Sequence, residues 1–374
     1  MHIETVRAIP LLATIDPPQR IGRATFTKLG VTLVEVRSDT GLVGYGECLG
    51  RYAPRIWAAI VDDLLAPLVA GEDPWDTERL WERMFRDLRS LSGHSRGMLV
   101  EGIAGVDTAL WDLKGKAAGR PVSALLGGRV RSRLSAYASS VMVREPEAMA
   151  ADAAEVVARG FRALKVKIGT GVESDAAVIR GVRRAVGDAV DLMVDANGAY
   201  RAAEAIDLIR RIDDCRITWF EEPVPPDDLE GYRRIRAATT MRLAAGEGEF
   251  TRFGVRDVLA ADAVDVIQPD VARAGGISET RKITELAATH HVAYAPHVGF
   301  SSIVCVAATL QLAAAAPNFL TYECMYTANP LRERLAVTAL GGPAQLDDGR
   351  VPVPQGPGLG LELDPDALAF YAAT

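Results

Sequence analysis

The chain has 374 residues, 49% of them hydrophobic and 24% charged, enough for one large barrel with an addition or for two domains. A formal net charge of -7, from 42 Lys+Arg against 49 Asp+Glu, argues against the basic footprint that nucleic acid requires. The longest apolar run, 303–316, contains Gln311 and is too short to span a bilayer, so it reads as a buried helix.

The N-terminus (Met1, His2, Ile3, Glu4) has neither the basic nor the apolar region of a secretory signal. Residues 31–36 alternate as a strand, Ser38-Asp39-Thr40-Gly41 reads as a turn, and 42–47 returns as a hairpin partner. Leu64, Leu65 and Leu68 mark one helix, and Leu80, Met84 and Leu88 a second. Ile103, Val106, Leu110 and Leu113 give a third apolar stripe.

From about Arg133 short apolar runs alternate with amphipathic stretches. Strands are predicted at 134–139, 163–168, 191–195, 217–221, 242–247, 264–268, 292–296 and 319–323, with helical segments such as 147–159 and 277–290 between them. That alternation predicts parallel strands joined by crossover helices and closed into a (β/α) barrel. No amphipathic helix follows Glu323; the Gly- and Pro-rich tail is expected to leave the barrel and pack on the first domain. An open doubly wound sheet is the competing fold, but its G-x-G-x-x-G fingerprint is absent, and Gly44-Tyr45-Gly46 reads as part of a turn. The predicted organisation is an α+β domain over 1–128, a barrel over 129–325 and a returning segment over 326–374.

The four cysteines, Cys48, Cys215, Cys305 and Cys324, are far apart and never spaced as C-x-x-C. Neither a disulfide framework nor a structural zinc site is expected, and the cytoplasm is the expected compartment. The expected partner is a small-molecule carboxylate, without nucleic acid or membrane, and assembly of the chain with its own copies is expected.

Polar residues stand at the carboxyl end of one predicted strand after another, where a barrel builds its site. Lys167, Asp195, Glu221, Glu247, Asp270, His297 and Glu323 follow one another at intervals of 28, 26, 26, 23, 27 and 26 residues. Each interval is about one βα unit, so these residues converge on one mouth. Asp195, Glu221 and Glu247 then supply three carboxylates, which repel unless protonated or neutralised, and a hard divalent cation such as Mg²⁺ is the natural neutraliser. Any one of them alone reads as a helix cap; all three in phase read as a metal site.

Lys165 and Lys167, at i and i+2, share one face of a strand. Two adjacent ammonium groups disfavour each other's charge, so a depressed pKa and a neutral general base are expected. His297 ends the seventh predicted strand and Asp270 the sixth; an Asp beside a His fixes its tautomer and raises its basicity. His2, His290 and His291 read as ordinary polar residues, and His94 stays open.

The ordered set Lys165-x-Lys167, Asp195-Ala196-Asn197, Glu221-Glu222-Pro223, Ala245-Gly246-Glu247, Gln268-Pro269-Asp270, Pro296-His297 and Glu323 resembles the enolase superfamily, and within it the mandelate racemase subgroup. The 109–116 run (ALWDLKGK) with Leu125-Leu126-Gly127-Gly128 is similar to the end of that family's capping domain. Asp270, where the muconate cycloisomerases carry a lysine, speaks against that subgroup. The resemblance implies an N-terminal α+β capping domain over a (β/α)7β modified TIM barrel, with one Mg²⁺ on Asp195, Glu221 and Glu247. It also implies removal of the proton α to a carboxylate through an enediolate, by Lys or His bases.

On that scheme Lys167 and His297 address opposite faces of the α-carbon. Lys165 holds the substrate carboxylate, Glu323 hydrogen-bonds a carboxylate oxygen if protonated, and Asn197 binds an α-hydroxyl. The family's substrate loops fall at about 13–28 and 47–55, where Arg20, Arg23 and Tyr52 are candidate substrate contacts beside Lys28, Arg51 and Arg55. Their cations favour a polar, dianionic substrate. Dehydration of an acid sugar to a 2-keto-3-deoxy acid is the expected reaction. Sugar-lactone or anhydro-sugar cycloisomerisation and 2-hydroxy-acid racemisation or epimerisation are the alternatives, and a silent binding barrel the distant one.

Overall fold

The N-terminal sheet is larger than the hairpin read from the sequence. In the computed structural model, which describes residues 1–21, 24–93 and 96–372 (backbone only at 20, 21, 24 and 91), strand β1 (Ile3–Ile21) precedes β2 (Ala24–Ser38) and β3 (Val43–Arg51). They form an antiparallel sheet in the order β1-β2-β3. β1 escapes a strand reading because it holds Pro10, Pro17 and Pro18, which an edge strand tolerates. The 13–28 segment expected as a loop is therefore mostly the tip of a long hairpin. Gly44 and Gly46 are also not turn residues. They lie within β3, and a Cβ at either would run into the backbone of the helix over 98–117, at Ala109 and Gly105 respectively. The glycines let sheet and helix touch backbone to backbone.

Helical residues 54–69, α1 (Thr77–Ser92) and α2 (Met98–Ala117) complete the cap domain. α1 buries Leu80, Met84 and Leu88, and α2 buries Ile103, Val106, Leu110 and Leu113, the stripes expected from their spacing. Leu65 is buried in the same core, while Leu64 is exposed.

Eight parallel strands follow: β4 (Arg133–Val141), β5 (Ala163–Lys167), β6 (Asp191–Asp195), β7 (Ile217–Glu221), β8 (Leu243–Ala245), β9 (Val266–Ile267), β10 (Ala293–Tyr294) and β11 (Tyr322–Met325). Seven helices of ten residues or more connect them: α3 (Pro146–Ala158), α4 (Val172–Val186), α5 (Ala202–Arg211), α6 (Leu229–Ala238), α7 (Thr251–Ala260), α8 (Gly276–Thr289) and α9 (Ile303–Ala315). The sheet runs β10-β9-β8-β7-β6-β5-β4-β11. It closes where Tyr294 bridges Phe319, with the Leu320 amide donating 2.7 Å to the Tyr294 carbonyl. This is the expected modified TIM barrel. α9 is buried along most of its length, and no helix among the described residues is long and apolar enough to cross a membrane.

The tail adds β12 (Arg350–Pro352), antiparallel to β4, and α10 (Pro365–Tyr371). Its contacts with the cap include Ala372, which bridges Leu11, and the Leu359 amide, which donates 2.8 Å to Asp112 of α2. α2 also joins cap to barrel. Trp111 Nε1 donates to Ser278 Oγ at 2.8 Å, and Asp107 accepts from the Ser278 amide (2.9 Å) and hydroxyl (2.6 Å) at the start of α8.

Candidate active site

The side-chain alternation of the strands stacks the barrel interior in layers. The lower layer is an apolar plug containing Tyr137, Met193, Trp219 and Ala295. Two residues further along the chain stand Ser139, Asp195, Glu221 and His297, so each of these four is followed by a polar group at the mouth. Register does the rest. Lys167 pairs with Asp195 across β5 and β6, and Asp195 with Glu221 across β6 and β7. Strands β8 to β10 are shorter than predicted, and Glu247, Asp270 and His297 lie in the turns just beyond them.

Asp195, Glu221 and Glu247 bring ligand oxygens to within 4.8 Å of one another. Two of the three are fully buried. Glu221 accepts from Lys165 Nζ at 2.6 Å and Gln268 Nε2 at 2.7 Å. Glu247 Oε2 is buried without a hydrogen bond, within ion-pair distance (3.3 Å) of His297 Nε2. Three convergent oxygen donors, one of them unsatisfied, fit a hard divalent cation. Glu222 adds a fourth buried carboxyl; burial and then Glu247 push its pKa up.

Lys165 is 1% exposed and also approaches Glu323 (3.0 Å) and Asp195 (3.3 Å). Lys167 donates to Asp195 and, at 2.8 Å, to Asn197 Oδ1. With their charges uncompensated by a cation, the carboxylates act against the expected depression of the lysine pKa. Burial and Lys165 push the Lys167 pKa down, but Asp195 and the neighbouring Glu247 and Glu221 outweigh them, and it is raised. For Lys165 burial is likewise overcome by Glu221 and Glu323.

Glu323 is engaged by the barrel itself. It accepts from Lys165, from Ser139 Oγ (2.7 Å) and from the Val298 amide (2.7 Å). Burial favours its neutral form, but Lys165 and His297 hold its pKa well below the carboxylate range, so it is an ionised acceptor here. His297, 6% exposed, places Nδ1 2.8 Å from Asp270 Oδ2. Burial opposes its charge, yet Glu247, Glu323 and Asp270 raise its pKa to about 9. Asp270 is fixed in turn by the Ala272 amide at 2.8 Å and the Cys305 thiol at 3.7 Å.

These groups line a small cleft with a free volume of about 60 Å³, shared by Lys167, Asn197, Glu247, His297 and Glu323 from the barrel and by Phe26 and Arg51 from the cap. Phe26 stacks between Phe300 of the barrel (4.6 Å) and Tyr52 (5.2 Å), roofing the cleft. Tyr52 itself is 51% exposed on the outer side of that stack and does not line the cleft. The side chain of Arg20 and all of Arg23 and His94 lie outside the described residues. Sequence reasoning missed Ser139 and Ser140, although Ser139 precedes Lys167 by the same 28-residue interval that separates Lys167 from Asp195. Phe26 and Phe300 left no signal, since their stacking depends on how cap and barrel meet.

Two family descriptions divide the chain. The "Mandelate racemase / muconate lactonizing enzyme, N-terminal domain" matches residues 3–127, and "Enolase C-terminal domain-like" matches 148–367. The chain belongs to the mandelate racemase/muconate lactonizing enzyme family of the enolase superfamily. Among curated relatives in this superfamily, a D-galactarolactone cycloisomerase from Agrobacterium fabrum is 40% identical, with 99% of each chain covered. An arabinonate dehydratase from Saccharolobus solfataricus is 34% identical, covering 91% of this chain and 90% of the relative. The crystal structure of a racemase from Streptomyces coelicolor A3(2) with bound magnesium superposes with a TM-score of 0.88 at 26% identity, over 99% of this chain and all of the other. These relatives are thus named as enzymes, a cycloisomerase, a dehydratase and a racemase.

Proposed function

We propose that this enzyme abstracts the proton α to the carboxylate of an acid sugar and expels the oxygen on the β-carbon, giving a 2-keto-3-deoxy acid. The observation that carries the reading is one cleft holding a lysine and an Asp-backed histidine on separate walls above three convergent carboxylates. Asp195, Glu221 and Glu247 would hold Mg²⁺, which when bound offsets the negative charge that develops on the substrate carboxylate. With a cation on those carboxylates, the charge that holds Lys167 protonated is cancelled, and neutral Lys167 Nζ takes the α-proton. His297 Nε2 donates a proton to the departing hydroxyl, because hydroxide leaves poorly unless protonated, and Asp270 keeps the ring oriented for that transfer. Lys165 screens the carboxylate end, Glu323 holds Lys165 in place, and Asn197 orients Lys167 and an α-oxygen.

Expulsion of a ring oxygen instead of a hydroxyl is a second reading of the same site, favoured by the full-length, 40% identical cycloisomerase. The four unpaired, buried cysteines support a reducing, cytoplasmic location. Assembly into a homo-oligomer is part of the proposal and is read by light scattering.

The test is incubation with Mg²⁺ in D₂O against aldonates, aldarates and their lactones, followed by NMR. Loss of the α-proton and of the β-oxygen, with one deuterium delivered to the former β-carbon as the enol ketonises, is expected for at least one acid. The acid consumed, open-chain or lactone, separates the two leaving groups. Silence across the panel with metal shown to be bound would sink the proposal.

A further inference from the structure

We propose that Arg51 takes the distal carboxylate of the substrate, so that the cleft is built for a dicarboxylic acid sugar or its monolactone. The inference rests on the proposed α-proton chemistry only for the orientation of the near end of the substrate.

Arg51 is the last residue of β3, and its backbone is held in the left-handed region at φ 44°. A non-glycine residue rarely adopts that conformation without a reason in the surrounding structure. The partner strand accommodates it. Gly30 pairs with Arg51 next to a register shift, and a Cβ on Gly30 would lie 2.6 Å from the Arg51 carbonyl oxygen. The bend at the end of β3 is thus matched by a glycine across the sheet, and it carries the Arg51 side chain to the cleft wall.

The guanidinium arrives there uncommitted. Interior arginines elsewhere are paired: Arg273 reaches Glu101 at 3.0 Å, and Arg252 reaches Glu279 at 2.5 Å. Arg51 has no acidic partner among the described residues, and its Nε is buried without a hydrogen bond. The lysines of the cleft, in contrast, are already engaged by Asp195, Glu221 and Glu323. An unsatisfied buried donor is costly, and a bound anion removes that cost.

The two ends of the cleft therefore differ. The barrel end holds the carboxylate cluster, whose Mg²⁺ would take the reacting carboxylate, with Glu247 and Lys167 on the cleft wall. Among the described lining residues the cap contributes Phe26 and Arg51, one aromatic face and one fork of donors. A guanidinium fork matches a carboxylate with two parallel hydrogen bonds.

The experiment compares an aldarate with the aldonate of equal chain length, in which a hydroxymethyl group replaces the distal carboxylate. Each is assayed with Mg²⁺ in D₂O by loss of its α-proton signal, using the wild type, Arg51→Met and Arg51→Lys. Wild type is expected to prefer the diacid by roughly 10- to 100-fold in kcat/KM, the worth of a charge-assisted hydrogen bond. Arg51→Met should bring that preference close to one, and Arg51→Lys should restore part of it. In parallel, calorimetry measures binding of an unreactive dicarboxylate and the matching monocarboxylate to Mg²⁺-loaded wild type and Arg51→Met. A diacid preference that Arg51→Met leaves intact, or a wild type without one, overturns the assignment. α-Exchange without that preference refutes Arg51 alone. Arg51-dependent diacid binding without exchange upholds Arg51 and refutes the proposed chemistry.

Discussion

At the scale of single residues, the site is a set of charges each of which decides the state of the next. Lys165 and Lys167 were expected to weaken each other; Lys165 does lower the Lys167 pKa, but carboxylates outweigh it there, and at Lys165 Glu221 and Glu323 overcome burial. Sequence shows that two lysines share a face. Which charges stand opposite depends on strand register, and only the fold supplies that. The Asp270–His297 pair, at 2.8 Å, gives a sharper prediction. His297→Asn removes the proposed proton donor while leaving Lys167, Asn197 and the carboxylates in place. Product formation should fall by about 100-fold or more, the usual range for losing a general acid. Deuterium entry from the Lys167 side should persist. Product formed at the wild-type rate, read by NMR in D₂O, would remove His297 from the reaction.

Elements were legible in proportion to how local their signals are. β6 and β7 fall at the predicted residues because apolar runs there end in a charged group, Asp195 or Glu221, that the barrel needs. β8, β9 and β10 shrink to two or three residues because the chain bends early to present Glu247, Asp270 and His297, and periodicity does not register such bends. α2 illustrates a different limit. Its 109–116 run was recognisable as a pattern, but its purpose lies in contacts with segments distant in sequence: Asp107 and Trp111 grip Ser278, and Asp112 grips the tail.

One consequence of that joint can be measured. Burial, only partly offset by hydrogen bonds from Ser278, pushes the Asp107 pKa up to about 7. Between the unfolded carboxyl pKa, about 4, and about 7 the native state thus binds the extra proton, so stability falls as pH rises through this window. The slope contributed is at most about 1.4 kcal/mol per pH unit. Asp107→Asn, which cannot ionise, should flatten the urea midpoint against pH between pH 5 and 7, in comparison with wild type. Parallel curves for the two proteins would refute the assignment.

Taken as a whole, the molecule is a barrel whose working end is finished by parts from outside it. Glu47 of β3 accepts from the Ser302 amide (2.8 Å) and hydroxyl (2.5 Å) and from the Cys305 amide (2.9 Å), seizing the start of α9 just after the His297 loop. From the other side Arg332 and Asn329 of the tail donate to the Ser301 carbonyl at 2.8 and 3.0 Å. Cap and tail thus clamp the loop that carries His297. At the centre of this assembly three carboxylates are held close together and away from water, an arrangement that favours whatever neutralises them. In this arrangement the lysines do so in part, and Glu247 Oε2 remains without a hydrogen bond. A divalent cation that binds the native site and not the unfolded chain stabilises the fold by RT ln(1 + [L]/Kd), about 2.7 kcal/mol at a hundredfold excess over Kd. For a chain of this length that is a rise in Tm of roughly 2 to 5 °C. Adding Mg²⁺ to EDTA-treated protein should produce that rise, and Ca²⁺-free controls with Na⁺ at equal ionic strength should not. Glu221→Gln disturbs the Lys165 pairing as well, so its own Tm is uninformative. The informative quantity is the Mg²⁺-dependent increment within the variant, because the variant's stability offset cancels there. That increment should shrink by at least half. An increment equal to that of wild type would place the cation somewhere other than on Glu221.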